Sequence, residues 1–299
     1  MNVMLELALE PFKDPCVQEI FVRGIASMTV LRSGLLEVRS SPYSDRGKYL
    51  RFLQEFSLEQ GLRLDPYSPS AGGRLERKYE GVSLLMRWHC LVPPASPIEP
   101  IFALRRHHFS SLELSDFSMS VDMESKLRQA FVCGDSFLFC GPTGSGKTSF
   151  LFSLLKMFCL NERLIFLEEL EEIPMVSLAW TALRSRKIGI DGKGAVSLSF
   201  LLNESLRLRP DRLVIGELRT LDSLVFLDAL WTGHHGTLST FHAMNLTDVQ
   251  QRIGSMLQKD GRGLSHFSSR SEKPFWCVFL RRQGAGSEIV SMDPFSFSL

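Results

Sequence analysis

One short stretch limits what this chain can fold into more than any other. Residues 141–149 read GPTGSGKTS and match the phosphate-binding pattern G-x-x-x-x-G-K-[ST], the P-loop. The glycines allow a turn tight enough for successive backbone N–H groups to point at phosphate oxygens. Lys147 would then place a positive charge beside the β- and γ-phosphates, and the Thr148 hydroxyl would hold Mg²⁺.

The segments on either side of the P-loop agree with this interpretation. Residues 136–140 form a short apolar run typical of a buried strand, and residues 148–160 have the pattern of a helix whose N-terminus would face the phosphates. The alternative, a glycine-rich turn that binds nothing, does not explain why strand, loop, Lys-Thr pair and helix follow in this order. We therefore predict that the chain binds a nucleoside triphosphate with Mg²⁺ through Gly141, Pro142, Thr143, Gly144, Ser145, Gly146, Lys147, Thr148 and Ser149.

Composition argues against several other classes of protein. The 299 residues include 34 basic and 33 acidic side chains, so bulk charge gives no reason to expect direct nucleic-acid binding. The six cysteines include no C-x-x-C pair, which argues against a structural zinc site and favours free thiols in a reducing cytosol. The N-terminus lacks the basic flank of a signal peptide. The longest apolar run, residues 150–160, is too short for a transmembrane segment, so membrane association would need a protein partner or a surface patch.

Local patterns divide the chain into two domains and a linker. Alternating apolar and polar residues at 15–39 predict strands, and the apolar spacing at 44–61 predicts a helix. After a proline-rich stretch, strands and helices alternate, which is typical of a mostly parallel sheet with helices on both faces. We predict a smaller N-terminal α/β domain at residues 1–100, a linker at 101–112 and the P-loop domain at 113–299.

Acidic residues end the second strand of the predicted P-loop domain. Glu168 and Glu169 close the strand pattern RLIFLEE, and Glu171 and Glu172 follow shortly after. At the carboxyl edge of a parallel sheet these side chains would face the nucleotide. A carboxylate there can polarise the attacking water or hold Mg²⁺ through its water shell. A solvated acidic turn is the alternative, and we expect one or two of the four to lie on the surface.

The third strand, RLVIGELR, has the shape of a Walker B strand. Gly216 stands where most P-loop enzymes have a metal-binding aspartate. Glu217 is then the predicted catalytic carboxylate, able to orient or deprotonate a water. Arg219 could bind a phosphate or hold this acid in place. For both residues, a salt bridge at the end of the strand is the alternative.

Two of the three histidines in residues 232–245, TGHHGTLSTFHAMN, are candidate site residues. His242 follows a predicted strand that should lie beside the P-loop, so we predict that it senses the γ-phosphate. His234 precedes the same strand. A purely structural role is the alternative for a single histidine. A zinc site is not supported, because no third ligand stands at a suitable spacing.

Together, these motifs resemble the secretion ATPases, which power type II and type IV secretion and type IV pili. Four signatures of that family occur in order: a Walker A GPTGSGKT, an acidic box FLEELEEI, a Walker B RPDRLVIGELR and a histidine box TGHHGTLSTFHAMN. Three further stretches resemble the branch that serves tight-adherence (Flp) pili and type IV secretion: IDGKGAVSLSFLLNESLRLRPDR, PPASPIEPIFALRRHHFSSLELSDF and DPCVQEIFVRG. The resemblance covers most of residues 14–255.

The resemblance implies both a fold and a function. The expected fold is α/β, with a RecA-like P-loop NTPase domain that contains a mostly parallel sheet and follows a smaller α/β (PAS-like) N-terminal domain. The expected activity is ATP hydrolysis by a hexameric ring, a motor in the cytoplasm at the periphery of the bacterial inner membrane. Its expected partners are inner-membrane platform proteins or secretion-channel proteins.

The resemblance also implies roles for individual residues. Arg87 and Arg105 match arginines that the N-terminal domain brings to the nucleotide phosphates. The implied catalytic residues are Glu217, Glu168, Glu172, His242, Arg105 and Arg87. The implied Mg²⁺ ligands are Thr148 and Glu168. Beyond the P-loop, the residues expected at the nucleotide are Arg219 and His234.

Three features depart from the family pattern. Glu169 stands where the acidic box usually has aspartate, and Met244 is inserted between Ala243 and Asn245. The four-cysteine metal module of type II secretion ATPases is absent, which disfavours that branch. The principal catalytic positions are all present, so we predict an active enzyme.

Three other functions stay open from the sequence alone. A nucleotide-dependent regulator or scaffold of the same machine would bind ATP and hardly hydrolyse it, and the Glu169 substitution keeps this hypothesis open. A DNA-translocating ATPase on a similar RecA-like core is disfavoured by the balanced charge. A small-molecule kinase is disfavoured further, because the sequence contains no signature of an acceptor pocket or lid.

Overall fold

The computed structural model of the protein describes residues 2–106, 112–169, 173–186, 194–218, 224–261, 275–284 and 286–295. These residues form two compact units. The first unit contains the described residues up to 106, and the second contains those from 112 onward.

The first unit is built on an antiparallel sheet with the strand order β3-β2-β1-β6-β5-β4. Its strands are β1 (Val17–Arg23), β2 (Ser27–Arg32), β3 (Leu35–Arg39), β4 (Ser70–Tyr79), β5 (Val82–Leu91) and β6 (Ile101–Arg106), and its helices are α1 (Asn2–Leu9) and α2 (Arg46–Glu59). Asp45 is the N-cap of helix α2, and its carboxylate accepts a hydrogen bond from the Lys48 N–H. Its Phe52 and Phe56 pack edge-on against Phe102 and Trp88, which fixes α2 to one face of the sheet.

Strand β6 places the end of the first unit later than the sequence suggested. It is hydrogen-bonded to β1 on one side and to β5 on the other. Its alternating pattern buries Phe102 and Leu104 in the core of the first unit. Residues 101–106 are therefore a central strand of the first sheet and not part of the linker predicted at 101–112.

The second unit is built on an eight-stranded sheet with the order β10-β9-β11-β12-β8-β13-β14-β7. Its strands are β7 (Phe117–Ser118), β8 (Phe137–Cys140), β9 (Leu164–Glu168), β10 (Trp180–Arg184), β11 (Arg212–Leu218), β12 (Leu238–Phe241), β13 (Phe275–Gln283) and β14 (Gly286–Phe295). Its helices are α3 (Val121–Val132), α4 (Lys147–Phe158), α5 (Leu198–Ser205), α6 (Val225–Trp231) and α7 (Leu246–Lys259). All neighbouring strands are parallel except β13 and β14.

Helices cover both faces of this sheet. Alternate strand residues form one core with α3 and α4 and a second core with α5, α6 and α7. The predicted mostly parallel sheet with helices on both faces is therefore confirmed. Because β8, β9, β11 and β12 are parallel, their carboxyl ends meet at one edge, which is where ligands bind in open α/β sheets. None of the helices in the described residues has the length and apolar character needed to cross a membrane.

A buried arginine ties the start of β11 to its surroundings. Arg212 is only 6% exposed; its Nε lies 2.6 Å from Glu162 Oε2, and its Nη2 donates to the Phe131 carbonyl oxygen at 2.9 Å. The guanidinium also lies 4.5 Å from the centre of the Phe131 ring. Each contact is lost if the guanidinium is removed, and Glu162 is left without this cationic partner.

We expect Arg212→Met to lower the free energy of unfolding by about 2–3 kcal/mol, because one partner of a largely buried ion pair is removed. Urea denaturation followed by circular dichroism measures this change. Arg207→Met is the matched control, since the Arg207 side chain is 80% exposed. A loss at Arg212 no larger than that at Arg207 would contradict this structural role.

Candidate functional site

The P-loop joins the end of β8 to the start of α4 and has a shape that only glycine permits at two positions. Gly141 and Gly146 have φ of +152° and +89°, and Gly146 is the N-cap of α4. A Cβ on Gly141 would lie 2.4 Å from the Leu280 carbonyl oxygen, and one on Gly146 would lie 2.5 Å from Ser287 Oγ. Side chains are therefore excluded at both positions, and the N-terminus of α4 faces the loop.

Two side chains of the P-loop, those of Ser145 and Lys147, are buried. Lys147 is 6% exposed, and its Nζ donates to the carbonyl oxygens of Gly141 and Pro142, both at 2.9 Å. The Ser145 hydroxyl is fully buried and finds no hydrogen-bond acceptor or donor among the described residues. A glycine-rich loop with a buried ammonium group and a hydroxyl that lacks a hydrogen-bond partner is suited to binding a phosphate group.

A pocket beside the P-loop brings together three of the predicted site residues. Its polar lining consists of Thr148, Glu168, Glu217 and Thr240, and its apolar lining of Leu151, Ile173, Val214 and Ile215. Thr148 comes from the first turn of α4, Glu168 from the end of β9 and Glu217 from β11. The parallel sheet thus places a hydroxyl and two carboxylates, which are far apart in the sequence, around one space.

A β-bulge at Gly216 sets the position of Glu217. Ile215 pairs with Ser239, but Glu217 already pairs with Thr240, so the register shifts by one residue between them. The Ser239 hydroxyl donates to the Gly216 carbonyl oxygen at 2.7 Å. Such a bulge re-aims the side chain that follows it. A Cβ on Gly216 would make only ordinary contacts, the nearest at 3.6 Å, so the backbone does not require glycine at this Walker B position.

Glu217 and His242 contact each other directly. His242 Nε2 lies in hydrogen-bonding contact with Glu217 Oε1, and the two side chains are 33% and 11% exposed. His242 follows the end of β12, the strand next to β11. We predicted His242 as a γ-phosphate sensor; the structure shows it in contact with the predicted catalytic carboxylate.

The remaining acidic residues divide between the pocket and the surface. Glu168 is buried, at 3% exposure, whereas Glu169 lies in an exposed bend. The departure from the family pattern at Glu169 therefore does not alter the lining of the pocket. The predicted residues Glu171, Glu172 and Arg219 lie outside the described residues.

Thr148 and Glu168 supply oxygen atoms of the kind that Mg²⁺ binds. Within the described ranges, no three histidine, cysteine or acidic side chains are grouped as a metal cage. Mg²⁺ does not need one, because it binds through one or two protein oxygens and completes its shell with waters and substrate phosphates. The donors present therefore fit an Mg²⁺ that accompanies a nucleotide.

His234 lies at the other edge of the sheet from the P-loop. Its carbonyl oxygen accepts from Thr237 Oγ1 at 2.7 Å, and the Thr237 N–H donates to Ser136 Oγ at 3.1 Å. Ser136 precedes β8, whereas the P-loop follows it. Partial burial, together with nearby His235, lowers the pKa of His234 below its ordinary value. Within this chain, His234 does not join the P-loop, Glu217 and His242.

The histidine-box insertion is accommodated outside the site. Met244 is 66% exposed, and its N–H donates to Asp248 Oδ2 at 3.0 Å. Asn245 caps α7 by accepting from the Asp248 N–H. Because His242 still contacts Glu217, the extra residue is accommodated in the turn before α7 and leaves the end of β12 in place.

In the first unit, the two predicted arginines lie side by side. Arg87 on β5 is the direct cross-strand partner of Arg105 on β6, so both project from the same face of the sheet. Arg105 Nε lies 3.2 Å from Glu19 Oε1 on β1. Arg74 on β4 pairs in turn with Arg87, giving a row of three arginines. Sequence reasoning missed Arg74, because its place in the row depends on the register of β4.

Comparison with known protein families gives a match over more than half of the chain. A family model described as type II/IV secretion system protein matches residues 71–265. VirB11 of Rhizobium radiobacter is 36% identical over 144 residues, 48% of this chain and 42% of that protein. A Mycobacterium tuberculosis protein provisionally named for conjugal transfer is 30% identical over 218 residues, 72% of this chain and 62% of that protein. The chain thus spans less than two thirds of the length of these relatives.

Solved structures share the fold over most of the chain. The Legionella pneumophila ATPase DotB superimposes with a TM-score of 0.65 at 15% identity, covering 94% of this chain and 76% of DotB. The pilus retraction motor PilT, solved with bound ADP, superimposes with a TM-score of 0.60 at 17% identity, covering 96% of this chain and 81% of PilT. These similarities confirm the predicted α/β fold.

Proposed function

Because the chain belongs to the type II/IV secretion system protein family, as its motifs predicted, we propose that it is an ATPase that powers a type IV pilus or a type II or type IV secretion machine. The observation that carries this proposal is the convergence of Thr148, Glu168 and Glu217 on one pocket beside the P-loop. This is the arrangement that phosphoryl transfer to water requires: a phosphate cradle, a metal ligand and a carboxylate for the water.

In the proposed reaction, the protein contributes position and charge. The P-loop N–H groups and Lys147 hold the β- and γ-phosphates, and Glu217 aligns the attacking water while His242 orients its carboxylate. Thr148 and Glu168 hold Mg²⁺, which neutralises charge on the phosphates when it is bound. Arg87 and Arg105 supply further positive charge to the phosphates, as the family resemblance implies.

We expect the wild-type protein to release phosphate from ATP in the presence of Mg²⁺, and we expect this release to stop when EDTA is added. A coupled phosphate assay measures the rate, and binding of a fluorescent ATP analogue measures occupancy separately. The proposal would be refuted by a well-folded protein that neither binds the analogue nor releases phosphate.

The proposed assembly is a hexameric ring at the cytoplasmic side of the bacterial inner membrane. The ring and its location come from the family resemblance alone. The names of the relatives support only the kind of machine: VirB11 of Bartonella quintana is named as a type IV secretion system protein, and PilT as a pilus retraction motor. The proposed partners are inner-membrane platform or secretion-channel proteins. Native mass spectrometry with a non-hydrolysable ATP analogue would give the subunit number, and co-purification with a tagged platform protein would identify the machine.

A further inference from the structure

The hairpin formed by β13 and β14 lies against the outside of the P-loop. The Leu280 carbonyl oxygen stands where a side chain on Gly141 would be, and Ser287 Oγ stands where one on Gly146 would be. Between these points, Arg282 reaches the exposed tip of the loop at Gly144. This hairpin begins after residue 265, where the match to the family model ends. None of the roles assigned above involves it.

Arg282 bridges the hairpin and the loop through two hydrogen bonds. Its Nη1 donates to the Gly144 carbonyl oxygen at 3.4 Å, and its Nε donates to the Gly284 carbonyl oxygen at 3.3 Å. The neighbouring Arg281 has a different partner, since its Nη2 lies 2.8 Å from Glu288 Oε2 on β14. Both arginines are exposed, but of the two, Arg282 contacts the P-loop.

The hydrogen bond to Gly144 fixes the orientation of a peptide unit in the loop. Because a trans peptide is planar, the Gly144 C=O and the Ser145 N–H point in opposite directions. The Ser145 N–H meets the Pro142 carbonyl oxygen at 3.3 Å, and this same oxygen accepts from Lys147 Nζ. Because Arg282 holds the Gly144 C=O pointing outward, the Ser145 N–H faces the interior of the loop, beside the Lys147 ammonium group.

From this geometry we infer that Arg282 is a positioning residue of the nucleotide site, which holds the P-loop from outside in the conformation that receives phosphate. The inference rests on the proposed nucleotide binding. Arg282 acts through the Gly144–Ser145 peptide and needs no contact with the ligand. Its loss should weaken the binding of the triphosphate. The loop would then be less ordered before binding, and the free-energy cost of ordering it would reduce the observed affinity. The chemical step should be unaffected, since Thr148, Glu168 and Glu217 keep their places.

The test compares Arg282→Gln with Arg281→Gln, an adjacent charge removal on the same exposed strand. We expect Arg282→Gln to raise the Kd for a fluorescent ATP analogue with Mg²⁺, and the KM for ATP, by about three- to tenfold, the factor that one hydrogen bond contributes. Its kcat should stay within about twofold of wild type, as expected when only binding is affected. Arg281→Gln should bind and hydrolyse ATP like wild type.

Arg282→Lys adds a rescue experiment, because an ammonium group can still donate to the Gly144 carbonyl oxygen and should recover part of the affinity. Wild-type Kd in Arg282→Gln would overturn the inference, and so would equal losses in the Arg281 and Arg282 variants, which would indicate a general effect of the hairpin. If wild type itself does not bind the nucleotide, the proposed function fails and this inference with it. Normal wild-type binding with an unaffected Arg282→Gln refutes the inference alone.

Discussion

Glu217→Gln is expected to bind ATP as tightly as wild type and to release phosphate at least about a hundredfold more slowly. The amide keeps the size of the carboxylate and can still accept a hydrogen bond from His242, so the end of β11 should keep its geometry. It cannot take a proton from the attacking water, nor can it attract that water with a full charge. The loss should therefore appear in kcat and leave the Kd for the nucleotide unchanged.

Glu169→Gln is the matched control for this experiment, because the same chemical change is made at an exposed residue one position beyond a pocket carboxylate. Its turnover should equal that of wild type. If wild type and Glu217→Gln both bind ATP and release phosphate at the same near-zero rate, the chain is a nucleotide-dependent regulator or scaffold and not a motor. A slow Glu169→Gln would instead move the catalytic role toward the acidic turn.

Arg105→Ala is expected to retain ATP binding and to lose about a hundredfold or more in turnover, as an arginine that stabilises transition-state charge would. The Arg105 side chain is 54% exposed and pairs with Glu19, itself 43% exposed. Its removal should therefore leave the core of the first unit, and the thermal unfolding of the protein, unaffected. Phosphate release at saturating ATP and binding of the fluorescent analogue separate the two effects.

Arg39→Ala provides the comparison for Arg105. Arg39 ends the edge strand β3 and forms a 2.7 Å ion pair with Glu37, so this variant removes one exposed, paired arginine from the same sheet without touching the row at Arg87 and Arg105. It should hydrolyse ATP normally. Unchanged turnover in Arg105→Ala would remove this residue from the mechanism, and an equal loss in both variants would indicate a non-specific effect of charge.

Much of the second unit could be predicted because its strands are short, apolar and separated by helices. Strands β8, β9, β11 and β12 all matched buried runs in the sequence. Strands β10 and β14 were missed for a physical reason. β10 is five residues long, and among them only Trp180 is buried. β14 contains Asp293 and Pro294, which weaken a strand pattern, yet it is stabilised by pairing along its length with β13.

The candidate site was predictable to the extent that it depends on sheet topology. Residues that follow parallel strands meet at one edge, and this rule correctly grouped Thr148, Glu168 and Glu217. The same rule could have separated His234 from His242, because one precedes β12 and the other follows it. The contact between His242 and Glu217 depends on the bulge at Gly216, and the row at Arg74 depends on strand register. Neither can be read from local patterns, since both arise from pairing across the sheet.

The strand order fixes the spacing between the two strands that carry the P-loop and Glu217. β12 lies between β8, which leads into the P-loop, and β11, which carries Glu217, so the backbones of β8 and β11 are two strand spacings apart, about 10 Å. The Gly141 N–H donates to the Phe241 carbonyl oxygen at 3.3 Å, which fastens the loop to the middle strand. An extra residue within the four residues of β12 would shift its pairing with β8 and β11. Met244 is inserted beyond the end of β12 and leaves this pairing unchanged.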